Sequence, residues 1–380
     1  MQIWMLALTT CGRTMRCALT MLRRREYGHA TMWLMTPHPG EGVRMNRLTS
    51  RLSLVGLAAA LSLSAACSSS QRGADPDNPY QLDVAVLAAN EFYSIPWLVG
   101  QKRGFFEEHG VKVGKIVAGS GGSATLRTQL SGDLPIGEVG YNSVLHAAKE
   151  GVPIVAVGGG VQNTHGGEYY ARKDNDEVNK LADIRSWAYT NPGSSIYALS
   201  FMILEEAGLP TKAERVAAGG VGEGVALLEA GKVDVAWLPP TLASRHKDDF
   251  KLVVRTQDYV DKFQASVITT SPRFAKDHPD VVKAVLAGYQ EAIKWATGNP
   301  EETAKLYAAH VDVSYDAALE VVKGATGAVA WNIGFNPESL KSGTKSAELS
   351  GLKGGVDYCG LFDGSFLPRG ATAELPTDCS

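Results

Sequence analysis

From residue 81 the chain alternates short apolar runs with amphipathic stretches, joined by glycine-containing turns, which is the pattern of α/β layers. Strands are expected at 81–88 (QLDVAVLA), 111–117, 134–139 and 153–158, with helices at 96–109, 123–131 and 142–150. Gly110 stops the first of these helices. The alternation resumes with strands at 187–190, 215–218, 233–238 and 251–255 and helices at 195–207 and 221–230. A further strand at 264–270 leads into a mostly helical final third. There Val282, Val285, Leu286, Tyr289 and Ile293 share one face of a helix over 279–297, and later helices start near Pro300 and Ser314. Residues 118–139 and 218–237 both run strand, Gly-rich turn, short helix, Gly turn, strand, as if two lobes follow one plan.

The first 80 residues read differently. Seven of the 8 methionines lie at or before Met45, and residues 1–44 show neither a 3.6 nor a 2.0 period. That segment is either foreign to the fold, from an upstream start, or a disordered basic leader. From Met45 to Arg51 the chain is positively charged, and 52–63 (LSLVGLAAALSL) is apolar but too short to span a bilayer. Ser64-Ala65-Ala66 then leads into Cys67. The run 45–66 resembles a bacterial lipoprotein signal, with Leu63 one place further from the cysteine than usual; a plain signal peptide is the alternative. In the lipoprotein reading Cys67 is acylated (palmitate) and becomes the mature N-terminus, and 67–79 is a polar tether to the membrane.

Of 380 residues 44% are hydrophobic and 20% charged, ordinary values for a globular chain long enough for two cores. Residues 1–66 hold 8 of the 37 Lys and Arg and 2 of the 40 Asp and Glu, which leaves −9 on the remainder. An acidic domain without basic runs argues against a nucleic-acid partner. Beyond Cys67 only Cys359 and Cys379 remain. In an exported chain this predicts a disulfide that pins the C-terminal tail, worth about 3 kcal/mol for a loop of that size, with two free thiols as the alternative. No zinc site is expected, since no histidine pair lies near them at ligand spacing.

The chemistry-bearing loops are two Gly-Ser turns before helices, Gly119 to Ser123 and Pro192 to Ser195. A helix start offers unpartnered N–H groups and a partial positive charge, so each turn is a seat for an anionic or carbonyl group, or else simple serine capping. Phe92-Tyr93, Tyr141-Asn142 and Trp237 sit at other strand–helix joints, where ligands bind in open sheets, although core packing also explains each of them. Trp331 is a further candidate for the same wall. No register of Gly219 to Gly224 satisfies a dinucleotide loop, no nucleophile elbow or P-loop lysine occurs, and the histidines stand singly. No catalytic residue, metal or cofactor is expected.

As an ordered series these residues resemble the solute-binding proteins for sulfonates, taurine, nitrate and thiamine pyrimidine precursors, the NMT1-like family. The resemblance rests on the strand at 81–88 followed by Tyr93, Pro96 and Gly104-Phe105-Phe106. It continues through the turn at 119–123, Ser131-Gly132-Asp133, Gly151-Val152-Pro153, and Gly231 to Trp237 before two prolines. It covers residues 80–350. It implies a two-lobed α/β periplasmic-binding-protein-like fold of type II, with crossovers near 158–171 and 255–267. Lobe 1 would comprise 80–165 and 260–380, and lobe 2 would comprise 166–259. By position the cleft would be lined by Tyr93, Ser120, Gly121, Gly122, Ser123, Tyr141, Asn142, Asn163, Asn191, Gly193, Ser194, Ser195 and Trp237. The candidate loops hold almost no Arg or Lys, which speaks against a simple sulfonate or nitrate and leaves room for aromatic carboxylates and pyrimidines. The implied protein is a monomeric, extracytoplasmic, lipid-anchored receptor. It would capture a small organic solute (sulfonate, aromatic carboxylate or pyrimidine-like) in an interlobe cleft and deliver it to an ABC permease and its ATPase. A ligand-sensing lipoprotein and an exported enzyme on the same scaffold are the alternatives.

Overall fold

The computed structural model describes residues 73–119 and 121–379. The leader, the signal-like segment, Cys67 and Ser120 lie outside the described residues. The strands are β1 (Tyr80–Leu87), β2 (Val111–Gly119), β3 (Ile136–Gly140), β4 (Val155–Gly158) and β5 (Glu168–Arg172). They continue with β6 (Ser186–Tyr189), β7 (Glu214–Ala217), β8 (Ala236–Leu238), β9 (Phe250–Arg255) and β10 (Ser266–Thr270).

Two sheets repeat one arrangement. The first has the order β2-β1-β3-β10-β4, with β10 antiparallel to both neighbours. In the second, β8-β5-β9 and β6-β7 are joined by a parallel bridge between Trp187 and Val235, giving β7-β6-β8-β5-β9 with β5 antiparallel. In each sheet the antiparallel strand is the one fed by the crossover from the other sheet. Residues 118–139 and 218–237 occupy equivalent places in the two, each leading from an edge strand through a helix to the third strand.

Helices cover both faces. They are α1 (Ile95–Arg103), α2 (Phe105–Glu108), α3 (Gly122–Ser131), α4 (Tyr141–Lys149), α5 (Ser195–Glu206), α6 (Val221–Glu229) and α7 (Pro240–Arg245). The C-terminal third adds α8 (Pro272–Asp277), α9 (Pro279–Gly298), α10 (Pro300–Val311), α11 (Tyr315–Gly327), α12 (Pro337–Leu349) and α13 (Tyr358–Leu361). The helix expected over 96–109 is two. Gly104 takes a left-handed φ of 80° between α1 and α2, a conformation that glycine adopts without strain. The break turns Phe106 inward, fully buried against Trp97 and α9.

Side-chain alternation sorts the first sheet's two faces. Val157 and Ile268 join Trp97, Phe106 and α9 on one side, while Ala156 and Val267 join α4 and α12 on the other. The largest apolar cluster does not stay within one lobe. It runs from Tyr169 and Trp187 of the second sheet through Val161 and Phe263 into α9, α10 and α11. The helices of 300–327 therefore pack in one cluster with residues of the second sheet.

The two crossovers lie side by side, with Ala265 N–H donating to Val161 O at 2.9 Å and Phe263 N–H to Gln162 O at 3.3 Å. A third segment, absent from the sequence reading, completes this hinge. Gln162 N–H donates to Ala330 O, and Asn332 N–H to Gly160 O, both at 2.9 Å. Glycine is required at 159 because a Cβ there would collide with the carbonyls of Asn332 and Gly334. Trp331 belongs to this hinge and not to a cavity wall: it is buried, and its Nε1–H donates to Phe92 O at 3.1 Å. Cys359 and Cys379 form a disulfide. Among the described residues no helix is long and apolar enough to cross a membrane.

Candidate functional site

A cavity of about 520 Å³ lies beyond the C-terminal ends of β1, β2, β6 and β8 and is lined from both sheets, the place where open α/β sheets take ligands. Three helices start on its wall: α3 at Gly122, α5 at Ser195 and Ile196, and α6 at Val221 and Gly222. The N-caps of α3 and α6 are Gly121 and Gly220, which bring no side-chain cap, so among the described residues no side chain caps the first N–H groups of those helices. The α5 cap differs, since Ser194 Oγ accepts from Tyr197 N–H at 3.2 Å. Leu87, Ala89, Ile196 and Leu242 give apolar surface, and Tyr93 and Trp237 give ring surface.

The charged groups of the wall are mainly acidic. Glu91 is 8% exposed, and its Oε1 accepts from Thr241 Oγ1 of the opposite lobe at 2.7 Å. Its Oε2 is buried and has no hydrogen-bond partner among the described residues. Burial pushes the Glu91 carboxyl up to about 8, against the Thr241 bond and the nearby Arg245 charge. Glu223 and Asp312 line the same space. Arg245 is there too, but its Nη2 donates to the carbonyls of Val311 and Asp312 at 3.2 and 3.1 Å, satisfying the C-terminal end of α10. His310 Nε2 lies 3.2 Å from Ala89 O.

The lobes touch around this space. Thr190 follows β6, and a Cβ added to Gly121 would sit 3.4 Å from its Oγ1. That hydroxyl is buried without a partner among the described residues, and Thr190 is 2% exposed. At the other end of α5, away from the cavity, Lys345 of α12 donates to Glu206 at 2.7 Å. Among the described residues no group of three or more His, Cys, Asp or Glu could hold a metal ion.

The family profile described as NMT1/THI5 like matches residues 91–303, more than half the chain. The chain belongs to the NMT1/THI5-like family. No curated protein sequence matches it. Solved structures of α/β periplasmic-binding-protein fold do. The zinc-bound ligand binding component of an ABC-type import system from Staphylococcus aureus is 14% identical with a TM-score of 0.63, over 76% of this chain and 97% of that one. The periplasmic aliphatic sulphonate binding protein SsuA from Escherichia coli is 17% identical with a TM-score of 0.57, over 72% and 87%. The desulfurization enzyme DszB shares the fold at 16% identity and a TM-score of 0.50, over 71% and 91%.

In this NMT1/THI5-like chain six of the expected residues line the cavity together: Tyr93, Gly121, Gly122, Ser194, Ser195 and Trp237. Six others lie elsewhere. Tyr141 and Asn142 are fully buried at the start of α4, where α12 covers the β3–α4 joint and Tyr141 OH meets Thr344 Oγ1 at 3.1 Å. Ser123 Oγ is 3.2 Å from Ser143 Oγ. Asn163 holds the hinge, donating to Ala328 O at 2.8 Å. Asn191 ties its own loop to Gly219 O at 3.1 Å, and Gly193 packs on His146. The seventh, Ser120, lies outside the described residues. Sequence reasoning missed Glu91, Thr190, Thr241 and Arg245. Glu91 left a faint signal, as an acid in a joint otherwise free of charge. Arg245 left none, because its place depends on α7 meeting α10.

Proposed function

We propose that this chain is the extracytoplasmic solute-binding component of an ABC importer. It takes a small organic solute into the cavity and passes it to a permease and its ATPase. One observation carries the reading: a single cavity at the carboxyl ends of strands from both sheets, walled by helix N-termini, hydroxyls and ring faces. Hydrogen bonds reach across it that can form only when the lobes are together. A hinge of three hydrogen-bonded segments behind the cavity supports opening by rotation of one lobe against the other. Fold relatives that carry binding-component names support it further, as does the apolar stretch ending at Cys67, from which we read a lipid-anchored form on the outer membrane face.

Thermal-shift screening of the purified protein against sulfonates, aromatic acids, pyrimidines and amines tests this reading. A solute at 100 times its Kd stabilises by about 2.7 kcal/mol, and small-angle scattering should show the protein contracting as it binds. A broad screen without a hit, or binding with no change in dimensions, would count against a hinged receptor.

A second reading has a specific observation in its favour. Glu91 carries a raised carboxyl pKa inside the cavity, as general acids do, and the fold also hosts an enzyme. Incubating the protein with each hit and following the solute by mass spectrometry separates the two, because a receptor returns its ligand unchanged.

A further inference from the structure

We propose that Glu91 selects the solute by holding a protonated nitrogen, so that the cavity takes a small dipolar molecule with an ammonium or amidinium group at Glu91 and an acidic or carbonyl group at the helix N-termini. This rests on reading the cavity as a solute site. Glu91 Oε2 is buried and lacks any donor, while Oε1 is held by Thr241. A buried carboxylate oxygen without a donor is costly, and a ligand N–H removes that cost. The cation nearest by charge does not make this bond: the Arg245 hydrogen bonds go to the carbonyls of Val311 and Asp312.

The other pole is present in the same cavity. The uncapped starts of α3 and α6 offer N–H groups and partial positive charge, and the unpartnered Thr190 hydroxyl faces Gly121 beside them. A plain anion would satisfy that pole and leave Glu91 as it is, with Glu223 and Asp312 adding repulsion. A dipolar solute satisfies both. Because Thr241 comes from the opposite lobe, the bond that positions Glu91 exists only with the cleft closed, so reading the nitrogen and closing the lobes occur together.

Ionisation gives a readout that a structural role would not move. In the empty closed cleft burial holds the Glu91 carboxyl near 8. The titratable or charged groups around it are Arg245 of α7, Tyr93, Tyr307 and His310 of α10, Asp312 and Glu223. A cationic nitrogen beside it keeps Glu91 ionised in the closed cleft at pH 7, whereas a solute without that nitrogen leaves the buried carboxyl to hold a proton.

The test is isothermal titration in buffers of different ionisation enthalpy, using matched pairs: 4-(aminomethyl)benzoate with 4-methylbenzoate, 5-aminopentanoate with pentanoate, and 3-aminopropanesulfonate with propanesulfonate. We expect the amino member of at least one pair to bind at least about ten-fold more tightly, as one charge-assisted hydrogen bond provides, and to leave fewer protons on the complex than its des-amino partner does. In Glu91→Gln, whose side-chain oxygen still accepts from Thr241, that ratio should fall toward one and the difference in proton exchange between the two members should vanish. A des-amino member binding as tightly as its partner, or a ratio that survives in Glu91→Gln, overturns the inference and leaves the receptor reading standing. Silence from every pair overturns it as well, and the broader screen then decides separately whether any solute binds.

Discussion

Ser266 Oγ donates to Glu138 Oε1 at 2.7 Å and accepts the Val161 N–H at 2.9 Å, so one hydroxyl ties a carboxylate in the middle of the first sheet to the backbone of the hinge. The other carboxylate oxygen accepts from Trp97 Nε1 at 2.7 Å and from Tyr289 OH at 2.9 Å. Glu138 is fully buried in β3, a strand that exposes none of its residues. A buried charge is tolerated only when it is well bonded, and here α1, α9 and β10 each supply a donor. The crossover backbone at Val161 is thereby fixed to the first sheet and, through Tyr289, to its long covering helix.

The same cradle predicts a pH dependence. Burial raises the Glu138 carboxyl from 4.5 to about 7, with its three hydrogen bonds opposing the rise. Between those values the folded chain binds a proton that the unfolded chain has released, so this group's contribution to stability is present below 4.5 and is lost as pH rises through 7. Glu138→Gln imitates the protonated form and carries no such slope. Across this window the wild type should therefore lose about 1.4 kcal/mol per pH unit relative to the variant. Urea unfolding of both proteins at pH 5, 6 and 7 measures the difference, in which His146 and His165, both lowered by burial, cancel. Parallel stability curves would show that Glu138 is ionised throughout.

Thr190 should separate binding from stability. Its hydroxyl is buried without a partner, so Thr190→Val removes an unsatisfied polar group while keeping the side chain's shape. We expect the empty protein to be unchanged or stabilised by up to about 1 kcal/mol. Solute affinity should drop by roughly three- to ten-fold if that hydroxyl meets the ligand beside the start of α3. Equal affinity in the variant would assign Thr190 to packing alone.

How much of this was legible in the sequence depended on range. The strand–helix alternation, Gly110 as a stop, and the turns at 121–122 and 194–195 are local, and local patterns state them. Glycine and serine before an apolar helix carry their own backbone reason to be there. Tyr141 and Asn142 had the same local look as Trp237, at a strand's carboxyl end before a helix. They are covered because α12 folds back onto α4, and nothing within ten residues of them encodes that return. Glu91 and Thr241 are 150 positions apart and became a pair only through the meeting of two lobes. The third hinge segment was missed for a similar reason. Residues 330–334 contain too few alternating positions to read as a strand, yet two crossovers with open backbone edges required a partner.

Trp237 offers a test of the aromatic wall. It is half-buried at the end of β8, lines the cavity, and belongs to the lobe that carries Thr241. Truncation to alanine removes a ring face that a planar solute would cover, so Trp237→Ala should weaken binding of the best hit ten-fold or more, equivalent to about 1.4 kcal/mol. Because part of the ring already faces the cavity, the loss of stability should be smaller than for Trp187, which is fully buried. Unchanged affinity would remove Trp237 from the site and leave the helix termini and Glu91 to hold the ligand.

The disulfide should matter to the fold and not to the ligand. Cys359 and Cys379 are both exposed and 20 positions apart, and neither lines the cavity. The tail they close is not idle. Thr372 O accepts the Phe335 N–H at 2.7 Å, next to the hinge segment, and Phe366 is buried with the first sheet's core. Cross-linking limits the unfolded tail's freedom, and a loop of this length stabilises by about 3 kcal/mol. Replacing both cysteines by serine should lower the denaturation midpoint accordingly, yet leave the solute Kd within about two-fold, because the hinge keeps its hydrogen bonds to 160–162 and to Ser266. If affinity instead fell in step with stability, the tail would have to be counted as part of the hinge that sets the closed cleft.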